Sequence, residues 1–432
     1  MLFLHYDRAM NKDLPFTKEQ VKALASRFPA PFHIYDETHI RERSQLLYKA
    51  MQNVGFKGFR NYFAVKALPN PHVMQILADE GQGMDCSSIA ELDLADRIGL
   101  SGEDIFFSSN NTAMAEYERA VELEATINFD EISHIEPFLQ KFGTPKVGCC
   151  RYNPGNMSFA DAEEWIMGTP SEAKYGMTRE QIIASYRMLK EAGVTTFGLH
   201  TMLLSNDRDW RNHARIARQL FELAVEIHQA LGITFSFINL SGGIGVPYHP
   251  ADQPFDVEAL AMAVRQAYDE LNLNLLGRPA IFMESGRFMT AEAGWLVTEV
   301  INMKRTHKTY VGVDASMANL MRPGMYGAYH HITVLGKEDQ EPTDLVDVTG
   351  SLCENNDKFA IDRELPPIEV GDYLVIHTTG AHGHSMGFNY NGKLRSAELL
   401  MKENGEVEMI RRAETLNDLF ATLEFPEMRI RL

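Results

Sequence analysis

Between Pro31 and Gly286 the chain alternates short apolar runs of strand length with longer amphipathic segments of helix length, a rhythm that few architectures accept. The strand-like runs are "NYFAVKA", "GMDCSS", "IFFSS", "TINFD", "KVGCCRYN", "TFGLHTM", "SFINLSGG" and "AIFMESG", eight in all. Between them lie segments such as "PHVMQILADEG", "IAELDLADRIG", "REQIIASYRMLKEAG" and "HARIARQLFELAVEIHQALG". A strand followed by an amphipathic helix brings the chain back to start a parallel neighbour, so the repetition predicts an α/β fold with a parallel sheet. Eight such runs predict closure into a (β/α)8 TIM-like barrel over residues 31–288. Asn70 as cap and Pro71 at the first helical position predict the helix that returns the chain from the first strand.

After Gly286 the texture changes to β-rich runs, "GWLVTEVINMKR", "TYVGVDA", "HHITVLG", "LVDVTGSLC", "DYLVIHTTG" and "AELLMKENGEVEMIRR". Asn404-Gly405 in the last of them is a hairpin signal. The expectation is a second, mostly antiparallel β domain formed by residues 289–432 together with 1–30, closed by a helix in "ETLNDLFATLEF". Thr17 and Gln20 stand at capping-box spacing and predict a helix start ahead of the barrel.

Composition narrows the function classes. With 41 basic and 59 acidic residues the net charge is −18, which disfavours nucleic acid and anionic membranes as partners and favours a small molecule. No apolar run approaches the roughly 20 residues of a membrane span. The start, "MLFLHYDRAMNKDLPF", does not have the form of a signal peptide, which places the protein in the cytoplasm. Four cysteines without a CxxC, and no histidine cluster at ligand spacing, predict reduced thiols and no metal site.

In a barrel of this kind the working face is the C-terminal end of the strands, and the unusual polar residues collect there. Lys66 ends the first strand, Asp85 the second, Arg151 the fifth, His200 to Ser205 the sixth, Ser241 to Gly245 the seventh and Glu284 to Arg287 the eighth. Alternation puts Tyr62, Ala64 and Lys66 on the inner face of the first strand, where partial desolvation favours a neutral, nucleophilic amine suited to Schiff-base chemistry. From the strand alone, a lysine that snorkels to the rim or pairs with Asp85 is the weightier account. "LSGGIG" leaves backbone N–H groups able to surround a phosphate, although a plain glycine turn is the commoner meaning. "MESGRF" sets Glu284 beside Arg287, as a site or as a local ion pair. Lysine, phosphate cradle and carboxylate in one mouth fit pyridoxal 5′-phosphate, with Glu284 holding the pyridine nitrogen protonated. In "SLCENNDKF", Cys353 lies in a polar, turn-like context and is either a proton donor or an inert thiol, whereas Cys149 and Cys150 read as small core residues. "MRPGMYGAYHH" supplies Arg322 and Tyr326, suited to gripping a carboxylate. The segment Asn389 to Gly392 reads as a turn.

Taken in order, "YFAVKA", "INLSGGIGVPY", "MESGR", "RPGMYGAYH", "CENND" and "NYNGKLRSAELL" resemble the fold-type III pyridoxal-phosphate decarboxylases, and among them the diaminopimelate decarboxylases, over roughly Pro31 to Met401. The resemblance implies an alanine-racemase-like barrel, a β domain and a homodimer with active sites at its interface. It makes Lys66 the lysine that bonds the cofactor. Asp85, Ser205, Gly242 and Gly243, the segment Glu284, Ser285, Gly286 and Arg287, and further on His382 and Tyr390 become cofactor contacts. Arg287, Arg322, Tyr326 and His382 would bind substrate, with Glu354 near its distal amine and Cys353 entering from the partner subunit as proton donor. The implied reaction is decarboxylation of meso-2,6-diaminopimelate to L-lysine, the last step of lysine biosynthesis; ornithine or lysine decarboxylation, an alanine-racemase-like activity and a silent regulator on the same fold are the alternatives. Four positions depart from the family pattern. Met202 stands in place of a ring-stacking histidine, with His200 two residues earlier, Ser241 replaces a glycine, Ser285 a proline, and His382 a tyrosine.

Overall fold

The computed structural model describes residues 14–157 and 169–424. They form two compact units, one of residues 37–157 and 169–293, the other of residues 14–36 and 294–424. The apolar N-terminal patch and the last residue of the expected closing helix, Phe425, lie outside the described residues.

Strand β1 (Phe32–Asp36) belongs to the second unit. Strands β2 (Arg60–Ala64), β3 (Gly83–Cys86), β4 (Ile105–Ser108), β5 (Thr126–Phe129), β6 (Gly148–Tyr152), β7 (Phe197–Thr201), β8 (Phe237–Asn239) and β9 (Ala280–Met283) follow, each inside one of the eight expected runs except β2, which starts one residue before its run. They close into a barrel in sequence order, every neighbour parallel and β9 pairing back onto β2. Helices return the chain between strands. That over Pro71–Asp79 starts as expected, Asn70 Oδ1 accepting the His72 N–H at 3.1 Å with Pro71 in the first turn.

The barrel is filled by a layer of side chains one to three residues before the strand ends. Tyr62, Phe106, Phe237 and Phe282 meet there, with ring centroids 4.5 Å apart for the stacked Phe237–Phe282 pair and 5.4 Å for Tyr62–Phe106. Gly198 makes room for this layer, since a Cβ on it would lie 2.2 Å from the Phe237 ring. Cys149 joins the cluster, so it is the small core residue its strand context suggests.

The second unit holds β1 and strands β10 (Gly294–Arg305), β11 (Thr309–Val313), β12 (Ile332–Val334), β13 (Asp344–Thr349), β14 (Lys358–Leu365), β15 (Tyr373–Ile376), β16 (Ala397–Met401) and β17 (Val407–Arg411). Seven of them run in the order β14-β13-β11-β10-β1-β16-β17, with β15 pairing β10 and β12. The sheet is mostly antiparallel, the exceptions being β1 with β16 and β11 with β13. The Asn404-Gly405 hairpin forms between β16 and β17, with Gly405 at φ 82°. The expected capping box also forms, Thr17 and Gln20 exchanging side-chain bonds.

Two expectations differ. The unit boundary falls after Asp36 rather than at Pro31, because β1 pairs antiparallel with β10 and parallel with β16, so the second unit claims it. Phe32 and Ile34 are fully buried in that unit, each burial worth about 1.5–3 kcal/mol. Strand β14 lies where no strand was expected.

Among the described residues no helix is long and apolar enough to cross a membrane, and no cluster of metal-ligating side chains occurs.

Candidate active site

Alternation continues from the aromatic layer into a polar one at the strand ends. Asp85, Ser108, Arg151, His200, Asn239 and Glu284 come two residues after Gly83, Phe106, Cys149, Gly198, Phe237 and Phe282. All six are buried. His200 rests on the layer below, its ring stacked on Phe106 with centroids 5.9 Å apart.

Glu284 is the centre of this layer. Asn239 Nδ2 donates to its Oε1 at 2.8 Å, while His200 Nε2 lies 3.0 Å and Ser241 Oγ 3.2 Å from its Oε2. Burial opposes ionisation of this carboxyl, yet His200, Arg151 and Lys66 outweigh it and hold the group below its ordinary value. Burial lowers His200 despite the opposing pull of Glu284. Asp85 goes the other way, since burial and then the nearby Glu284 charge raise it well above the usual range. One carboxyl is thus pushed towards the ionised form and its neighbour towards the protonated form.

Lys66 is not the last inward residue of a strand. Strand β2 ends at Ala64, and Val65–Ala67 form a single 3-10 turn that carries Lys66 to an exposed position. The desolvated amine expected from strand alternation is therefore corrected, because the turn breaks the period of two. The ammonium still acts through space on Asp85, Glu91 and Glu284.

The glycine segment after β8 is shaped by close approach. A Cβ on Gly242 would lie 2.3 Å from the Glu284 carbonyl oxygen, and one on Gly243, at φ +88°, 2.3 Å from that of Leu204. Gly243 O accepts the Asp207 N–H at 3.0 Å, which ties the segment to the residues following Ser205. At the end of β9, the Ser285 N–H donates to Asn61 Oδ1 at 2.8 Å, and Gly286 packs on Ala64 and Ala67. Arg287 is buried and donates to the Tyr248 hydroxyl, so Glu284 and Arg287 turn to different partners.

The second unit carries the other candidates. Arg322 is fully buried in the short helix Arg322–Tyr326, its Nη1 2.9 Å from His330 Nε2, whereas Tyr326 is exposed. Cys353 and Glu354 are exposed. The Cys353 N–H donates to Asn391 Oδ1 at 2.8 Å, and Asn391 Nδ2 lies 3.2 Å from its Sγ. His382 is half-buried at φ 55°, and Tyr390 is exposed.

Several partners were not singled out from sequence. Asn239 has the same alternation as Phe237 and Ser241, which marks it as inward-facing. Asn61, which holds Ser285 on both sides of its peptide, had no local signal. Asn391, at φ 56°, follows Tyr390, the one residue of its segment given a role from sequence.

The sequence family described as "Pyridoxal-dependent decarboxylase, pyridoxal binding domain" matches residues 37–291. The chain is 42% identical over 395 residues to Protein TabA of Pseudomonas amygdali pv. tabaci, an alignment that covers 91% of each. It is 34% identical over 404 residues to the diaminopimelate decarboxylase of Methanothermobacter thermautotrophicus, covering 93% of this chain and 94% of that one. Among solved structures, diaminopimelate decarboxylase from M. jannaschii in co-complex with L-lysine superposes with a TM-score of 0.85 at 29% identity, over 94% of each chain.

Proposed function

This chain belongs to the pyridoxal-dependent decarboxylase family, whose cofactor is pyridoxal 5′-phosphate, and we propose that within it the protein decarboxylates meso-2,6-diaminopimelate to L-lysine and CO2. The observation that carries the reading is Glu284, a buried carboxylate with three side-chain donors, at the same barrel end as the exposed amine of Lys66. The choice of substrate is supported by relatives that bear its name.

The residues present fit the cofactor. Asp85 Oδ1, His200 Nδ1 and Ser285 Oγ are buried at the barrel end with no hydrogen-bond partner among the described residues. Buried polar atoms normally find one, so a polar ligand suits this end of the barrel. When bound, the cofactor supplies an electron sink for the pair left by departing CO2. Lys66 would hold it covalently, and ionised Glu284 would keep a proton on the pyridine nitrogen. Backbone N–H groups of Gly242, Gly243 and Gly286, with Ser205 and Arg287, would bind its phosphate. Arg322 and Tyr326 would hold a distal carboxylate of the substrate and Glu354 its distal amine, while His382 and Tyr390 would line the cofactor. Cys353, in a homodimer that shares its active sites, would deliver the proton to the carbon that lost CO2.

Incubation of the purified protein and pyridoxal phosphate with diaminopimelate should release lysine. Turnover of ornithine or lysine, with diaminopimelate left intact, would move the assignment to another amino acid. A second reading is favoured by the higher identity to Protein TabA, whose name states no substrate: a related amino acid in place of diaminopimelate, decided by the same panel.

A further inference from the structure

We propose that Ser241 is a positioning residue that ties Met202 and Glu284 together at the barrel end. Ser241 follows β8 at φ 61°, in the left-handed region where an L side chain is strained and a glycine is not. Strain of this kind persists where the surroundings hold it, and it gathers at functional sites. The next two positions are glycines because a Cβ would strike the backbone. At 241 the chain instead carries a side chain in spite of the strain.

That side chain touches the two groups in question. Ser241 Oγ lies 2.8 Å from Met202 Sδ and 3.2 Å from Glu284 Oε2. The backbone completes a ring. The Ser241 N–H donates to Asn239 Oδ1 at 2.8 Å, Asn239 Nδ2 donates to Glu284 Oε1 at 2.8 Å, and the Glu284 N–H donates to the Ser241 carbonyl at 2.8 Å. The left-handed turn is what lets one residue offer its N–H, its carbonyl and its hydroxyl to this ring.

A hydroxyl has a single proton, so Met202 and Glu284 compete for it, and an ionised carboxylate is the stronger acceptor. Ser241 therefore shares its one proton between the two, supporting the charge on Glu284 when it turns to Oε2 and holding the sulfur of Met202 when it turns to Sδ. Met202 is half-buried one residue beyond the end of β7, and a thioether with free torsions takes its place from such a contact. The proposal rests on Glu284 as a cofactor-facing carboxylate, and the test separates the two.

In the pyridoxal-phosphate-loaded protein, Ser241→Gly and Ser241→Ala should weaken cofactor retention by about tenfold, the scale of one hydrogen bond to a charged group. Both should displace the pH titration of the visible absorbance. In the cofactor-free protein both should move the Met202 methyl resonance, and Ser241→Gly, relieved of strain, should keep or raise the thermal midpoint. Met202→Leu combined with Ser241→Gly should give a less than additive change in the titration. If Glu284→Gln displaces the titration while both Ser241 variants leave it and the methyl resonance unmoved, the role of Ser241 is overturned and that of Glu284 stands. If Glu284→Gln leaves the titration unmoved, the reading of Glu284 fails and the proposal fails with it.

Discussion

Glu284 in the barrel unit and Glu398 in the β unit are both buried carboxylates, each with a hydroxyl and a histidine close by. Glu398 accepts the Tyr35 hydroxyl at 2.6 Å and the Arg411 Nε–H, with His384 Nδ1 3.7 Å away. Burial opposes its ionisation, but His384 and Arg411 prevail and hold it at about 2. Around Glu398, then, strands β1, β16 and β17 are stapled together by a charge that has a guanidinium of its own. Around Glu284 the hydrogen-bond partners are Asn239, Ser241 and His200, with no guanidinium bonded to it, and the amine of Lys66 is exposed. Similar residues at similar burial make a staple where a guanidinium bonds the carboxylate, and a candidate site where none does.

Removing the amine should have the greatest consequence: Lys66→Ala abolishes the visible absorbance of bound cofactor and reduces turnover to background. A retained band would sink the covalent role of Lys66. The two glutamates should then part company. Glu398→Ala leaves the buried Tyr35 hydroxyl without its acceptor, and chemical denaturation should register a loss of about 1–3 kcal/mol. Glu284→Gln should change stability by less than about 1 kcal/mol while lowering turnover on the order of a hundredfold, as removal of one preorganised electrostatic group does. The reverse pattern would make Glu398 the functional residue and Glu284 the staple.

Acid should act on the staple. Burial lowers His33 to about 4 and His384 to about 3, while Glu398 sits at about 2. All three values lie below the unfolded ones, so on acidification the unfolded chain takes up more protons and stability falls. Loss through the histidines begins below about pH 6.5, and loss through Glu398 sets in below about pH 4.5 and is complete near its folded value. Urea midpoints measured across this range should decline stepwise, and Glu398→Gln should remove the lowest step. A midpoint that stays level from about pH 7 to about pH 4 would contradict the histidine part. The smallest effect is expected at Asn391→Ala, which frees Cys353: a severalfold loss of turnover with stability within about 0.5 kcal/mol of the parent.

The barrel was legible because both of its signals are local. Strand β6 reads "GCCRY" and β9 "AIFM" in apolar runs whose inner faces follow from a period of two, and the helices between them follow from a period near 3.6. Strand β14 was hidden because its register against β13 shifts twice, so "KFAIDREL" buries neighbours such as Phe359 and Ala360 together instead of alternating. Strand β1, "FHIYD", is buried at every position between β10 and β16, and a five-residue run with His33 and Asp36 in it has no periodic face to detect.

The same division holds at the candidate site. Lys66, Asp85, Glu284 and the glycines after β8 stand out in the sequence by type and by place at strand ends, because position along a strand is a local property. Their partners were decided by tertiary structure alone. Asn239 meets Glu284 across 45 residues, Asn61 meets Ser285 across 224, and Asn391 meets Cys353 across 38. Such bonds depend on strand register and closure, which no window of sequence contains. The exposure of Lys66 was set the same way, by one turn of 3-10 helix where the strand had been expected to run on.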